Sequence, residues 1–301
     1  MRLESNPEIY RTVLENVPVG VYLVDQERRI VFWNRAAEEI TGYLGQEVIG
    51  RFCHDNILMH CDRDSNILCG SGCPLARTIA DGRLRQTDVF LRHKEGQRIA
   101  VEVRAMPVRD ESGAIVGSAE FFSRRPYVAE GTGGGRRDVR HARDAITDLP
   151  DRDAMLEAVR DAIQEFGTSQ RKFGILRAAV DDMERLRLSD GYQAVNAVMY
   201  AAGQTIAGGI RPSDTAGMWR EGGFMVVVSC DYGGALAACA GRLQSLVKMA
   251  AVPWWGDRLS VTVSMGGAMV EPDDTAESLV ERASRALEAG RAQGPDSLLV
   301  I

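Results

Sequence analysis

Pro126 and the run Gly131-Thr132-Gly133-Gly134-Gly135 constrain this chain most, because neither a helix nor a sheet continues through them. Proline lacks a backbone donor, and glycine loses the most conformational entropy when it is ordered. The chain is therefore cut near its middle into two separately patterned parts. Its 301 residues suit two domains better than one. Residues 125–143 are read as a Gly/Arg-rich linker. A phosphate-cradling role for the glycines is disfavoured, since no Lys-Ser/Thr follows and no strand–helix context surrounds them. Asp138–Ile146 is expected to form a helical stub. No heptad pattern crosses the glycines, so coupling between the two parts is expected to be looser than through one continuous helix.

Hydrophobic content of 45% and charged content of 26% describe an ordinary globular protein. A net charge of −6 argues against a general nucleic-acid or membrane-surface binder. No apolar run reaches the roughly 20 residues of a spanning helix, and the start shows no signal-peptide core. A cytoplasmic protein without nucleic-acid or membrane partners is expected, with its six cysteines reduced or ligating.

In the first part, Pro7–Asn16 carries apolar residues at helical spacing and is stopped by Pro18 and Gly20. Gly20–Asp25 and Ile30–Asn34 read as strands joined by the turn Gln26–Arg29, and Ala36–Ile40 reads as a short helix ending at Gly42. Thr87–Arg92, Arg98–Arg104 and Ile115–Phe122 follow as strands, linked by the glycine turns Lys94-Glu-Gly96 and Glu111-Ser-Gly113. In order and spacing, residues 6–124 resemble PAS domains. The resemblance implies a sensor or dimerisation module and leaves its ligand open.

Between those strands, Cys53, His54, His60, Cys61, Cys69 and Cys73 crowd into Phe52–Pro74. Thiolates and imidazoles ligate zinc or an iron–sulfur cluster, and Cys53, Cys61, Cys69 and Cys73 would suffice for either. The spacing contains no tight Cys-x-x-Cys, so buried reduced thiols lining an apolar wall are the competing reading. His54 or His60 as a haem ligand is a third.

In the second part, Asp144-Ala-Ile-Thr-Asp-Leu-Pro-Asp-Arg152 resembles the opening of GGDEF domains, with Asp148 and Asp151 as departures. Ala154–Phe166, Asn196–Ile210, Gly234–Met249 and Glu277–Arg291 read as helices. Phe173–Val180, Met225–Ser229 and Leu259–Met265 read as strands. With Arg211-Pro-Ser-Asp214 upstream and Arg220-Glu-Gly-Gly-Phe224 ahead of an apolar run, residues 144–301 are similar to the family that makes cyclic di-GMP from two GTP. The expected architecture is α+β: a PAS fold joined to a nucleotidyl-cyclase-like α/β sandwich with a mixed sheet.

What the resemblance implies about the site is uneven. Cyclase chemistry needs Mg²⁺ on oxygen ligands, one carboxylate at the end of the first strand and one in the hairpin turn. Aligned on Gly191 and Phe224, the strand-end position is Ala179, the guanine-reading position is Arg187 and its partner is Asn196. The acidic turn positions are Gly222 and Gly223, behind Arg220 and Glu221. Moving the register to match Gly222-Gly223 to the family's glycines places Phe224 and Met225 at the acidic positions. Asp181 or Asp182 could still hold a divalent ion. A degenerate cyclase that is not an enzyme is expected.

The family's inhibitory pair, by contrast, is present as Arg211 and Asp214, with Arg242 at the position of the third contact. Arg211 can present its planar fork to a guanine edge or phosphate, and Asp214 can accept from guanine N–H groups. The expectation is a cyclic di-GMP receptor acting as a homodimer under PAS input. The alternatives are a polar turn, since Arg-Pro-Ser-Asp is good turn chemistry, and a redox- or metal-sensing scaffold that binds no nucleotide.

Overall fold

The computed structural model describes residues 7–70, 72–124, 143–219, 223–230 and 234–301. The linker expected over residues 125–143 therefore lies outside the described residues except for Arg143. The chain divides into two compact units.

The first unit begins with α1 (Pro7–Asn16), β1 (Gly20–Asp25), β2 (Ile30–Trp33), α2 (Arg35–Thr41) and α3 (Gly45–Val48). It continues through α4 (Pro74–Asp81), β3 (Arg85–Arg92), β4 (Arg98–Arg109) and β5 (Ile115–Arg124). Its five-stranded sheet has the order β2-β1-β5-β4-β3. β1 pairs antiparallel with both β2 and β5, and β4 with β5. Alternation along the strands turns Tyr22, Val24, Val101, Val103 and Phe122 inward against Ile57 and Leu58 from the segment between α3 and α4 and Leu75 of α4. The expected PAS architecture is what the residues form.

One side chain organises its opening. Asn34 is fully buried, and its Oδ1 accepts from the Val21 and Ala37 amides at 2.8 Å each. Its Nδ2 donates to Leu14 O at 2.9 Å and Val19 O at 3.0 Å. A single amide thus caps α2, ties α1 to β1 and satisfies buried backbone groups that the turn would otherwise strand.

The second unit contains α5 (Arg152–Ser169), β6 (Phe173–Val180), α6 (Met183–Gly209), β7 (Thr215–Met218), β8 (Gly223–Ser229) and α7 (Ala235–Met249). β9 (Ala251–Trp254), β10 (Asp257–Ser260), β11 (Val263–Met269), α8 (Ala276–Arg291) and β12 (Leu298–Val300) complete it. The sheet order is β12-β11-β6-β8-β7, with β12 parallel to β11 and the remaining pairs antiparallel. Leu176, Ala178 and Val180 of β6 face α6 and α7, while Phe173 and Ile175 face α5 and α8. A central strand buried on both faces explains why Phe173–Val180 reads as an apolar run rather than a clean alternation.

Several expectations need correction. The strand expected over Leu259–Met265 is broken at Val261-Thr262, and its first part pairs with β9 as a separate hairpin. The helix expected from Asn196 begins at Met183, with non-helical φ 80° and ψ 180° at Gly191 dividing it. The helical stub expected up to Ile146 is a turn where it is described: Asp144 Oδ1 accepts from the Ile146 and Thr147 amides at 3.1 and 2.8 Å. An aspartate that binds its own following amides competes with helix continuation. Among the described residues no helix is long and apolar enough to cross a membrane.

Two stability changes follow. Replacing Asn34 with Ala strands four backbone groups, so the first unit should lose on the order of 3 kcal/mol, read by calorimetry of the full chain. Gly266 on β11 sits where an added Cβ would come 2.0 Å from Leu287 N and 2.6 Å from Ala283 O of α8. Gly266→Ala should therefore lower the second unit's stability by about 3 kcal/mol or more, seen in denaturant titration as an earlier second transition.

Candidate functional site

The β6–β8 register sets Ala179 directly opposite Gly223, and Ala178 opposite Phe224. Phe224 is fully buried among the α6- and α7-facing apolar residues, which anchors the hairpin in the sheet. Two positions that would have to supply oxygen ligands thus carry a methyl group and a hydrogen. Arg220, Glu221 and Gly222 lie outside the described residues.

Asp181, the first residue past β6, is buried. Its Oδ1 accepts from the Ser264 hydroxyl at 2.7 Å, and its Oδ2 accepts from the Thr262 hydroxyl at 2.7 Å and the Asp296 amide at 2.9 Å. It acts as a tie between β6, β11 and the approach to β12. Asp182 is exposed, in left-handed backbone at φ 55°, and caps no amide. Arg187 pairs with Glu184, with Nε 2.9 Å from Oε2, and lies over the Tyr192 ring at 5.5 Å. Asn196 is exposed on the far side of the Gly191 break. This donor set does not fit the magnesium ion that the fold family implies: the strand-end carboxylate is missing, and the neighbouring one is spent on three internal donors.

Behind the hairpin lies a group that the sequence reading passed over. Trp219 is flanked by two guanidinium groups, Arg177 at 4.8 Å and Arg152 at 5.2 Å from the ring centroid. Arg177 also donates to Ser284 Oγ at 2.8 Å. A lone arginine inside the apolar run Ile175-Leu-Arg-Ala-Ala-Val180 was the available signal, because a charge on a central strand demands a partner.

The other end of the same sheet brings Arg211, Asp214 and Arg242 together. Arg242 on α7 donates from Nε to Gly209 O at the C-terminus of α6, 3.2 Å away, favourable against that end of the helix dipole. Arg211 and Asp214 occupy the turn that follows. Both arginines and Asp214 act electrostatically on the buried Cys239 thiol, which burial pushes up to about 11. Asp214 itself is buried. It accepts from the Arg211 amide at 3.1 Å and the Ser229 amide at 3.0 Å, and burial raises its pKa above the ordinary carboxylate range. It is placed to clamp the turn onto β8. Arg211 is exposed on the outside of that turn.

In the first unit, Glu120 on β5 lies opposite Tyr22 on β1, and both are buried. His60 Nε2 stands 3.5 Å from Glu120 Oε1. Burial pushes the Glu120 carboxyl up to about 8, while Tyr22 acts in the opposite direction. Burial, with Cys73 and Glu120 nearby, raises the Cys53 and Cys69 thiols above their ordinary values. Cys61 is buried, and its backbone bridges Phe90 and Ile67. His54 is partly exposed against Phe52, with ring centroids 5.3 Å apart, and lies beside Asp55.

Two family models match this chain: the PAS fold over residues 8–124, and the diguanylate cyclase GGDEF domain over residues 141–297. Diguanylate cyclase A of Treponema denticola is 26% identical over 133 residues, 44% of this chain and 36% of that protein. The match thus spans well under half of that relative's length. Diguanylate cyclase SiaD of Pseudomonas aeruginosa, solved in complex with its activator SiaC, has a TM-score of 0.51 at 23% identity, over 53% of this chain and 61% of that one. The GGDEF domain of DgcB from Caulobacter crescentus, solved in complex with c-di-GMP, has a TM-score of 0.50 at 20% identity, over 56% of this chain and 98% of that one. These structural likenesses concern the fold. With the family model covering more than half of the chain, and β6, the hairpin and α6–α8 arranged as described, the protein belongs to the GGDEF family and carries a PAS domain ahead of its family domain.

Proposed function

We propose that this protein is a signalling receptor whose GGDEF domain makes no cyclic di-GMP and binds it instead, with the PAS domain as input. The observation that carries the reading is the convergence of Arg211 and Arg242 at the C-terminal end of α6, from segments far apart in sequence. Two guanidinium groups at one turn match a ligand with two phosphates and two guanine edges. Asp214 takes part through the turn it clamps, setting the direction in which Arg211 points. The loss of cyclase activity is supported by Ala179 facing Gly223 and by the three donors held by Asp181. A solved relative in the same fold carries c-di-GMP, so the ligand is compatible with this kind of sheet. One arginine pair on one face of a symmetrical ligand leaves the other half for a second copy, so the active form is a ligand-bridged homodimer.

Calorimetric titration of the full chain with cyclic di-GMP should give micromolar or tighter binding. Arg211→Ala and Arg242→Ala should each weaken it at least tenfold, about 1.4 kcal/mol. A wild-type protein that releases no heat across that range would remove the receptor reading. Incubation with GTP and Mg²⁺ should yield no cyclic di-GMP above a protein-free control, followed by chromatography over hours. Sustained product formation would refute the loss of catalysis while leaving the binding result to stand on its own.

A further inference from the structure

The end of the second sheet beside Ala179 carries two fixed positive charges that the receptor reading does not use. Side chains alternate along a strand, so Phe173, Ile175, Arg177 and Ala179 share the side of β6 that faces α5 and α8. Arg177 therefore stands one step along that face from the position whose carboxylate is missing.

Packing fixes the group around it. Gly217 of β7 allows α5 to approach closely, since an added Cβ would come 2.5 Å from Met155 Cγ and from Pro150 O. The Met218 amide donates to Pro150 O at 2.8 Å, and the Trp219 amide donates to Gly223 O at 2.9 Å. Arg152, the first residue of α5, is thereby held 5.2 Å from the centroid of the Trp219 ring, and Arg177 reaches the same ring at 4.8 Å. Arg177 Nη1 donates to Ser284 Oγ at 2.8 Å, while that hydroxyl donates its own proton to Val280 O at 2.7 Å. The direction of the Arg177 fork is thus set from α8. Arg152, Arg177 and Trp219 are all partly exposed, so the group meets solvent on one side.

Charge is what the arrangement leaves unbalanced. One guanidinium is enough to pair with an indole ring, and a second on the same ring adds like-charge repulsion. Among the described residues Arg152 forms no ion pair, and its buried Nε has no hydrogen-bond partner. A guanidinium stacked on a ring keeps in-plane N–H groups for an oxyanion, and two forks on one ring can hold it from two sides. Two fixed cations match a dianion, whereas a carboxylate would answer only one of them. Nucleic acid fits poorly, because it takes a run of basic contacts and this chain carries a net charge of −6.

We propose that Arg152, Arg177 and Trp219 form a binding site for a phosphate-type dianion, free or carried on a small molecule, held by guanidinium charge without a metal ion. The two arginines supply the positive charge at a strand end that has lost its oxygen ligands for one. Occupancy neutralises the pair and steadies Trp219, the residue from which the hairpin departs.

The test is calorimetric titration of the full chain in EDTA with inorganic phosphate, pyrophosphate and GTP. Pyrophosphate should bind with a dissociation constant below about 1 mM. Arg152→Ala should weaken it at least tenfold, and Arg152→Lys should restore only part, because lysine keeps the charge without the fork. Arg160→Ala, which removes an exposed arginine of the same helix paired with Glu277, should bind as wild type. Circular dichroism checks that the variants fold, and the wild-type titration depends on none of them. GTP binding at least tenfold tighter than pyrophosphate supports a phosphate carried on a nucleotide, and equal affinity supports the free oxyanion. A wild type that binds none of the three in EDTA overturns the proposal, as does binding that appears only when Mg²⁺ is added. Equal losses in Arg152→Ala and Arg160→Ala would reduce it to general charge attraction and overturn it. Binding kept in Arg152→Ala and lost in Arg242→Ala would move the anion to the receptor turn, which also overturns it. Cyclic di-GMP is absent from these titrations, so failure of the receptor reading leaves their outcome unchanged.

Discussion

The three hydrogen bonds accepted by Asp181 are the constraint on which the second domain depends. They join the end of β6 to the start of β11 and to the segment leading into β12, three stretches that chain connectivity alone would leave apart. A buried carboxylate is tolerated because its donors are complete. The same completeness gives the residue a structural task. Beside it stand Ala179 and, across the sheet, Gly223, so the strand end that a cyclase would fill with oxygen ligands is filled with packing and internal bonding. The proposed receptor role follows from this distribution: polar capacity is spent inward at one end of the sheet and presented outward, as Arg211, at the other.

A similar contrast runs through the PAS domain. Asn34 uses its whole hydrogen-bonding capacity on local backbone, and it can be explained by the fold alone. Glu120 is buried on β5 opposite Tyr22, with His60 Nε2 3.5 Å from its Oε1, and burial pushes its carboxyl up to about 8. A fully satisfied buried polar group is evidence of architecture.

Much of the fold was legible in the residues. The Ile30–Asn34 strand and its cap, the glycine turns of the PAS sheet, and the double-sided apolar run of β6 all carry local signals strong enough to read. The first half of α6 was missed because half of Met183–Asp190 is charged, and only Met183 and Leu186 of it pack against the core ahead of the Gly191 break. The β9–β10 hairpin was hidden because Leu259–Met265 alternates without a visible stop. Its division depends on Thr262 being drawn to Asp181, a tertiary event. Arg177 was overlooked since its partner ring, Trp219, comes from a distant loop.

The sequence by itself determined the two-part organisation, both fold classes, the absence of acids at Ala179 and Gly223, and the presence of Arg211, Asp214 and Arg242. These are matters of residue identity and spacing, which do not need a third dimension. Only the tertiary structure decided what those residues touch. It turned Asp214 into a clamp on the end of β8, placed Arg242 against the end of α6, and brought His60 beside Glu120. A side chain's role depends on burial and on which donors reach it, and both are properties of segments that meet only after folding.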